Sequence, residues 1–171
     1  MNIEGREYID LELAIKDSYR MASRYASEGV KNGIGGPFGA AIINKQDGKY
    51  RIIAVARNTV IETNDITNHA EINAIRRASK LLGQKFLNNC ILVTTARSCP
   101  MCLSAAIWAQ IKTIYYSEDY EVAASNGFKD AVISEYIQGS NKTVIKEVNV
   151  KDGSTIEPFE EWGRKLDRVD Y

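Results

Sequence analysis

The N-terminal part of the chain places apolar residues at helical spacing. Between Asp10 and about Lys31 the polar and apolar positions alternate with a helical period, and a glycine-rich stretch follows. The apolar positions are Leu11, Ile15, Tyr19, Ala22, Tyr25 and Val30. This pattern predicts an amphipathic helix that is ended by Asn32-Gly33 and by Gly35-Gly36-Pro37.

The next two segments are rich in β-forming residues. They cover Phe38–Asn44 and Arg51–Arg57 and are joined by Gln46-Asp47-Gly48-Lys49. Because Asp-Gly favours the tight turn of a hairpin, the two segments are predicted to form an antiparallel pair.

The rest of the chain alternates helical and extended patterns. Helices are predicted over 69–82, closed by Gly83, and over 99–110, with strands over 90–95 and 112–117. A short helix around 121–125, a last strand over 143–150 and a last helix over 159–167 follow. The β-α-β-α-β order predicts parallel strands with helical crossovers. The predicted fold is therefore α/β, a three-layer α/β/α sandwich around a mixed five-stranded sheet.

Three metal-binding side chains and one carboxylate fall at the starts of two predicted helices. His69 and Glu71 begin one helix, and Cys99 and Cys102 begin the other. Catalytic zinc keeps three protein ligands and leaves its fourth position to water, whose pKa falls to about 7. The free N–H groups of a helix N-terminus favour the cysteine thiolate that binds metal. We therefore predict that His69, Cys99 and Cys102 bind zinc and that Glu71 is a general acid/base.

This set matches the H-x-E…P-C-x-x-C signature of zinc-dependent base deaminases, except that Ser98 stands in place of the proline. Ser98 is the predicted N-cap of the second helix. A lone C-x-x-C also occurs in structural zinc knuckles and redox pairs, and a lone histidine is more often a packed core residue. The conjunction favours catalysis, because His69 is the only histidine and a structural site takes a fourth protein ligand. Iron and cobalt are alternatives that this donor set disfavours.

Length and charge narrow the class of protein further. The 171 residues suffice for one domain with its own core, and the 22 basic and 22 acidic side chains cancel. We therefore expect a small neutral or weakly charged substrate and no nucleic acid. The sequence has no signal-peptide pattern or long apolar run, and we expect no membrane association. Cys90 is predicted to be a buried thiol, and the cysteine usage indicates the reducing cytoplasm.

Features outside the zinc motif extend over nearly the whole chain. They are Gly33–Ala40, Asn64-Asp65 with Thr67, Trp108-Ala109, Gly127-Phe128-Lys129-Asp130, Pro158-Phe159, Trp162 and Tyr171. With the zinc motif, they resemble the small bacterial guanine deaminases of the cytidine-deaminase-like superfamily. The tRNA adenosine deaminases share the zinc motif but resemble only the first two-thirds of the chain.

The resemblance implies a zinc-dependent hydrolase that converts guanine to xanthine and ammonia, with one Zn²⁺ per subunit. Glu71 is then the proton shuttle between the attacking water and the leaving group, and Asp130 is a second acid that contacts the purine and its leaving amine. Without the resemblance, Asp130 would be a surface carboxylate or a turn residue.

A purine pocket is implied by further matched positions. Phe38 and Trp108 are its expected walls, since a flat heterocycle is held by ring faces. The Asn58 amide, which carries both a donor and an acceptor, is expected to hydrogen-bond the carbonyl and N–H edge of guanine, and the Ala70 backbone N–H is expected to hold a base carbonyl. Without the resemblance, Phe38 and Trp108 would be interpreted as core residues and Asn58 as a turn residue at the end of a strand.

The C-terminal segment is expected to join two subunits. The resemblance implies a homodimer in which 143–171 is exchanged between subunits and Tyr171 closes the neighbouring active site. The alternative is a tail packed on its own domain, which would form the same contacts.

The segment Ala96-Arg97-Ser98 departs from relatives, which usually carry Glu-Pro before the first cysteine. Arg97 would contact an acidic substrate or Asp130 if it pointed inward, and would change little if it pointed outward. Two alternative functions stay open at this point. One is deamination of another base or nucleoside, such as guanosine, cytosine or tRNA adenosine, and the other is a non-catalytic zinc module.

Overall fold

The computed structural model describes residues 4–140, 145, 147–149, 156–164 and 166–167. Its elements alternate along the chain much as the sequence predicts. In chain order they are β1 (Glu7–Tyr8), α1 (Leu11–Lys31), β2 (Gly39–Gln46), β3 (Lys49–Arg57), α2 (Val60–Thr63), α3 (Ala70–Leu82), β4 (Cys90–Ala96), α4 (Pro100–Trp108), β5 (Thr113–Glu118), α5 (Tyr120–Ser125), α6 (Asp130–Ile137) and α7 (Glu157–Arg164).

The strands form one five-stranded mixed sheet in the order β1-β3-β2-β4-β5. Strand β2 is antiparallel to both β3 and β4, and β4 is parallel to β5. Strands β3 and β4 therefore run in the same direction, although β2 lies between them. The predicted parallel arrangement holds between neighbours only for β4 and β5. The carboxyl ends of β3, β4 and β5 all lie at one edge of the sheet.

The hairpin between β2 and β3 closes at the predicted Asp-Gly pair. Asp47 and Gly48 both have positive φ angles, of 51° and 73°. Two consecutive residues with positive φ form the tight turn whose twist matches that of paired strands. This turn sets the register of the hairpin, in which Gln46 lies opposite Lys49.

Alternate residues of the central strands face opposite helical layers, as three layers require. On one face Ala41 and Ile43 are fully buried in a core with residues of α1 such as Ala14. On the other face Ala40 and Ile42 are fully buried in a core shared with α3 and α4. This alternation follows from the two-residue period of a strand. The α/β/α fold class predicted from the sequence is confirmed.

The structure differs from the prediction in its outermost elements. The fifth strand is β1, and of the predicted strand over 143–150 only 145 and 147–149 are described, none of them in a strand. A two-residue strand has no periodicity that a sequence pattern can show. Helices α2 and α6 were also not predicted, since each is short and neither of their N-cap residues, Thr59 and Lys129, makes a side-chain capping hydrogen bond.

Both helices that carry the zinc motif begin at the sheet edge formed by the carboxyl ends of the strands. Helix α3 has His69 as its N-cap, and α4 has Cys99. The chain reaches α3 after β3 and α4 after β4. The topology thus brings two distant segments to one place. Among the described helices, none is long and apolar enough to span a membrane.

Replacing Gly39 with alanine should destabilise the fold. A Cβ at this position would fall on the backbone carbonyl of Ala22 in α1, and neither backbone can yield cheaply. We expect Gly39→Ala to lower the free energy of unfolding by about 3 kcal/mol, measured by urea denaturation. The control Ser23→Ala, on the exposed face of α1, should change it by less than about 0.5 kcal/mol. Equal stability of the two variants would contradict the close approach of α1 to β2.

Candidate active site

Three side chains from the two helix N-termini converge to form a candidate metal centre. His69 and Cys99 are the two N-caps, and Cys102 lies in the first turn of α4. The His69 Nδ1 atom is 3.6 Å from the Sγ atoms of both cysteines, and all three donor atoms lie within 4.8 Å of one another. In a tetrahedral zinc site the distance between a nitrogen and a sulfur ligand is about 3.6 Å, from bonds of about 2.0 and 2.3 Å. Both nitrogen–sulfur distances therefore match those of a tetrahedral zinc site.

Asn73, one turn into α3, fixes the entry of this helix. Its side-chain amide donates hydrogen bonds of 3.0 Å to the Arg57 carbonyl and to the Thr59 hydroxyl. Its backbone N–H donates to the His69 carbonyl at 3.0 Å. The end of β3 and the start of α3 are thereby tied together, which holds His69 in its N-cap position.

The two sulfurs have opposite protonation preferences. Hydrogen bonding with the Cys102 side chain lowers the pKa of Cys99 to about 4, with contributions from His69 and from the Cys102 backbone N–H. The same side-chain bond, together with burial, raises the pKa of Cys102. Cys99 is thus held as a thiolate at the helix N-terminus. Because a metal ligand must be a thiolate, metal binding at Cys102 is expected to release a proton.

Glu71 lies in the first turn of α3 and is only 6% exposed. Burial raises the pKa of its carboxyl, and its own backbone N–H and the neighbouring His69 ring oppose that increase. A buried carboxyl with a raised pKa exchanges protons more readily near neutral pH than a solvated one. Its environment is that of a general acid/base.

A cavity of about 470 Å³ opens beside these groups. This volume lies within the range typical of small-molecule sites. Exposed isoleucines, Ile61 and Ile66 among them, form an apolar rim. The polar and aromatic residues that line it are His69, Glu71, Cys99, Asp130, Asn58, Arg97, Lys129, Phe38 and Phe128.

Asn58 lines the cavity with its amide orientation already determined. Its side-chain oxygen accepts hydrogen bonds from the backbone N–H groups of Gly36, at 3.2 Å, and Val60, at 3.1 Å. Gly35 is required beside it, because a Cβ there would collide with the Asn58 backbone and side-chain oxygens. Within the described residues the amide nitrogen donates no hydrogen bond. Asn58 therefore offers the cavity a donor, and not the combined donor and acceptor edge expected from its side-chain type.

Phe38 and Phe128 form the aromatic wall of the cavity. Their rings are 4.7 Å apart between centroids and meet edge to face at 80°. The expected wall residue Trp108 is not part of it, since it is 67% exposed and does not line the cavity of the described chain. Trp108 ends α4 and lies eight residues after Pro100, the first residue of this helix. It is therefore about 12 Å along the helix axis from the end that carries the cysteines. Trp108 does not lie at this cavity in the single chain, and its role as a pocket wall stays a prediction.

The remaining predicted residues lie at the cavity to different extents. Asp130 lines it at the start of α6, where burial, followed by the Cys99 charge, raises its pKa. Ala70 is fully buried as the first residue of α3, so its backbone N–H has no partner within the helix. Tyr171 lies outside the described residues.

Arg97 and Ser98, at which the sequence departs from its relatives, also lie in this region. Arg97 lines the cavity but pairs with Asp119 at 3.2 Å, not with Asp130. Ser98 is not the predicted N-cap, because Cys99 takes that position. The Ser98 hydroxyl is instead buried near Glu71, beyond hydrogen-bonding geometry, and has no hydrogen-bond partner among the described residues.

A family model matches the part of the chain that builds this centre. The model describes the cytidine and deoxycytidylate deaminase zinc-binding region and matches residues 14–118, more than half of the chain. The chain belongs to this zinc-binding deaminase family. The matched region contains His69, Glu71, Cys99 and Cys102, and with the donor geometry it confirms zinc as the cofactor predicted from the sequence.

Individual members of the deaminase fold group resemble the chain over most of its length. It is 40% identical over 153 residues to the guanine deaminase of Bacillus subtilis (strain 168), covering 89% of this chain and 96% of that protein. The X-ray structure of guanine deaminase from Bacillus subtilis superposes with a TM-score of 0.82 at 39% identity, covering 91% and 98% of the two chains. A structure of guanine deaminase from Nitrosomonas europaea gives a TM-score of 0.63 at 26% identity, covering 75% and 70%. The predicted resemblance and fold are confirmed.

Sequence reasoning missed Phe128 as a cavity residue. It noted the Gly127-Phe128-Lys129-Asp130 stretch but assigned a role only to Asp130. An aromatic residue two positions before a predicted catalytic acid was the available signal. Val132 and Ile133 of α6, which also line the cavity, could not be found without knowing that this segment is helical.

If this metal centre binds zinc, the zinc content of the protein should depend on Cys99 and Cys102 but not on Cys90. We expect the purified protein to hold one zinc per chain, measured by atomic emission, and Cys102→Ser to lose most of it because one of three ligands is replaced by a much weaker one. Cys90→Ala is the matched control, since Cys90 is buried away from His69 in β4. Equal zinc content in the two variants would contradict the assignment.

Proposed function

We propose that the protein is a guanine deaminase, which hydrolyses guanine to xanthine and ammonia. The observation that carries the proposal is the arrangement of one cavity. Two of the zinc ligands, His69 and Cys99, line it with the carboxyl groups of Glu71 and Asp130, an aromatic pair and an oriented amide. The high identity to the Bacillus subtilis guanine deaminase supports the choice of guanine over other bases.

The reaction needs a nucleophile and the movement of protons. His69, Cys99 and Cys102 would hold zinc, which would supply a Lewis acid and lower the pKa of water to about neutral. Glu71 takes one proton from the attacking water and gives it to the purine ring, then takes the second proton of the added hydroxyl and gives it to the amine that leaves as ammonia. Its burial suits both steps, because a raised pKa allows the carboxyl to hold the proton between them.

Asp130 is proposed as the second acid. It lines the cavity on α6, on a different element from Glu71, and burial raises the pKa of its carboxyl. Breaking the bond between carbon and the amino group requires that nitrogen to be protonated before ammonia leaves. A carboxyl facing this nitrogen holds it in place and assists its departure.

The purine is proposed to stack against the aromatic wall of Phe38 and Phe128. Stacking fixes the ring plane, and hydrogen bonds to the ring edge fix its rotation. The Asn58 amide nitrogen donates to a carbonyl or ring-nitrogen acceptor of the base. The free N–H of Ala70 at the start of α3 is a second donor for a base carbonyl.

We also propose that the active protein is a homodimer in the cytoplasm, with 143–171 exchanged between subunits and Tyr171 closing the neighbouring site. Helix α4 supports the dimer, because Leu103, Ile107 and Trp108 stay 45 to 67% exposed on one side of it. A helix that is apolar on all sides needs a second partner layer. The apolar residues of α7, Phe159 and Trp162, are exposed as well and support the exchanged segment. All three cysteines are free thiols, as a reducing compartment allows.

Replacing the proposed proton shuttle should abolish turnover while keeping the metal. We expect Glu71→Gln to lower kcat for guanine by about 10³-fold, since general acid/base catalysis contributes about 10²- to 10⁴-fold. Zinc content should stay at the wild-type level, because Glu71 is not a ligand. The measurement is ammonia release, with Glu62→Gln on the exposed side of α2 as the matched control.

The same assay tests the substrate. Guanine, guanosine, adenine, cytosine and cytidine are compared under identical conditions, and guanine alone should release ammonia at a high rate. Release from guanosine would contradict the closed pocket. A variant as active as the wild type would overturn the role of Glu71, and silence on every substrate would favour a non-catalytic zinc module.

Charging the exposed face of α4 should separate the subunits. We expect the wild type to sediment with twice the mass of the 19.1 kDa chain and Ile107→Lys to shift it toward the single-chain mass, because a buried charge at an apolar interface is costly. Val30→Lys is the control, since Val30 is similarly exposed, at 51%, on α1 at the opposite face of the sheet. A wild type that sediments as one chain would overturn the dimer.

A further inference from the structure

Arg97 is held at the end of β4 by three contacts with the β5–α5 corner. Its backbone N–H donates to the Glu118 carbonyl at 2.7 Å. Its guanidinium pairs with the Asp119 carboxylate at 3.2 Å and lies over the Tyr120 ring, 4.7 Å from the centroid. The side chain is about half exposed, so the ion pair by itself contributes little. The three contacts together restrict both the backbone and the side chain of Arg97.

Tyr120 continues this network toward the metal centre. Its hydroxyl donates a hydrogen bond of 2.8 Å to the Ser98 carbonyl. Its backbone N–H donates to the Asp119 side chain at 2.8 Å, which is the N-cap hydrogen bond of α5. The Tyr120 ring therefore contacts the Arg97 guanidinium, and the Tyr120 hydroxyl fixes Ser98, the residue that follows Arg97.

Ser98 is the link between this network and the candidate active site. It directly precedes Cys99, and its side chain is 6% exposed near Glu71. Its hydroxyl has no hydrogen-bond partner among the described residues, so the Ser98 side chain is not anchored by a bond of its own. Ser98 is held instead through its carbonyl, which accepts the hydrogen bond from the Tyr120 hydroxyl. Any shift of Ser98 moves the Cys99 sulfur and the surroundings of Glu71 together.

We propose that Arg97, Asp119 and Tyr120 form a clamp that positions Cys99 for zinc. The clamp replaces the proline that the zinc deaminase signature carries at the position of Ser98. A proline there would restrict the backbone by its ring and by its effect on the preceding residue. This chain restricts the same two residues by contacts with a neighbouring element. Arg97, Asp119 and Tyr120 are positioning residues, because each acts on the metal through Ser98 and Cys99.

The local geometry explains why such positioning matters. Cys99 is the N-cap of α4, with extended backbone angles of φ −65° and ψ 165°, and its carbonyl accepts the Leu103 N–H at 2.9 Å. Its orientation therefore depends on the chain that enters the helix. Zinc ligands tolerate only small displacements, and outer residues that orient them typically change metal affinity by about 10- to 100-fold.

The clamp is tested by zinc affinity, which does not depend on the identity of the substrate. The inference rests on the zinc centre of the proposed function, but a failure of guanine to react would leave this measurement intact. Zinc dissociation constants are obtained by competition with a chromogenic chelator. We expect Arg97→Gln and Tyr120→Phe each to weaken zinc binding by about tenfold. The melting temperature of the metal-free protein should stay close to that of the wild type.

A rescue variant separates positioning from general destabilisation. Within the described residues the Ser98 N–H donates no hydrogen bond, so Ser98→Pro should be tolerated and should restore zinc affinity in the Arg97→Gln background. The control Arg24→Gln removes a comparable exposed ion pair, with Glu28 on α1, and should leave affinity unchanged. Affinities within about twofold of the wild type in both clamp variants would overturn the proposal. The proposal would equally be overturned if the clamp variants lost zinc affinity together with a lower melting temperature of the metal-free protein, and Ser98→Pro did not restore that affinity.

Discussion

The candidate site depends on the close approach of two helix N-termini at one edge of the sheet. His69 caps α3 and Cys99 caps α4, and their donor atoms meet at 3.6 Å although the residues are 30 positions apart in the chain. This approach requires both helices to pack closely against the sheet. Alanines provide it, since Ala74, Ala78 and Ala106 are buried in the core between these helices and the strands. Larger side chains there would lift the helices and separate the ligands.

The same meeting of helix ends makes a buried cluster of ionisable groups tolerable. A carboxyl, an imidazole and two thiols that are largely buried together would ordinarily be costly. Here the free N–H groups of two helices face the cluster, and the positive ends of both helix dipoles favour negative charge. Hydrogen bonding with the Cys102 side chain and with His69 also lowers the pKa of the Cys99 thiol at the start of α4. The fold is thus adapted electrostatically to a metal ion.

Much of the fold was predictable because its signals are local. The α1 period, the Asp47-Gly48 turn and the glycine that ends α3 each depend on neighbouring residues, and the structure places them as predicted. The insertion of β2 between β3 and β4 was not predictable, because strand order is set by packing over the whole sheet. For the site, the motif located the metal ligands and Glu71, since helix starts are local features. The position of Trp108 away from the cavity of the single chain was not predictable, because a matched motif does not indicate the direction in which a helix runs. Phe128 was missed because its place beside Phe38 depends on the path of the α5–α6 segment.

The fixed oxygen of Asn58 has a consequence for how the cavity can change. An amide side chain ordinarily adapts to a new ligand by turning over, which exchanges its donor and its acceptor. Here that rotation would break the bonds from the N–H groups of Gly36 and Val60, at a cost of about 1 kcal/mol each and more where the groups are left unpaired. The cavity therefore presents one polarity to every base that enters it. A base with the opposite hydrogen-bonding pattern at this point would be accepted only after the glycine-rich loop itself had been rebuilt.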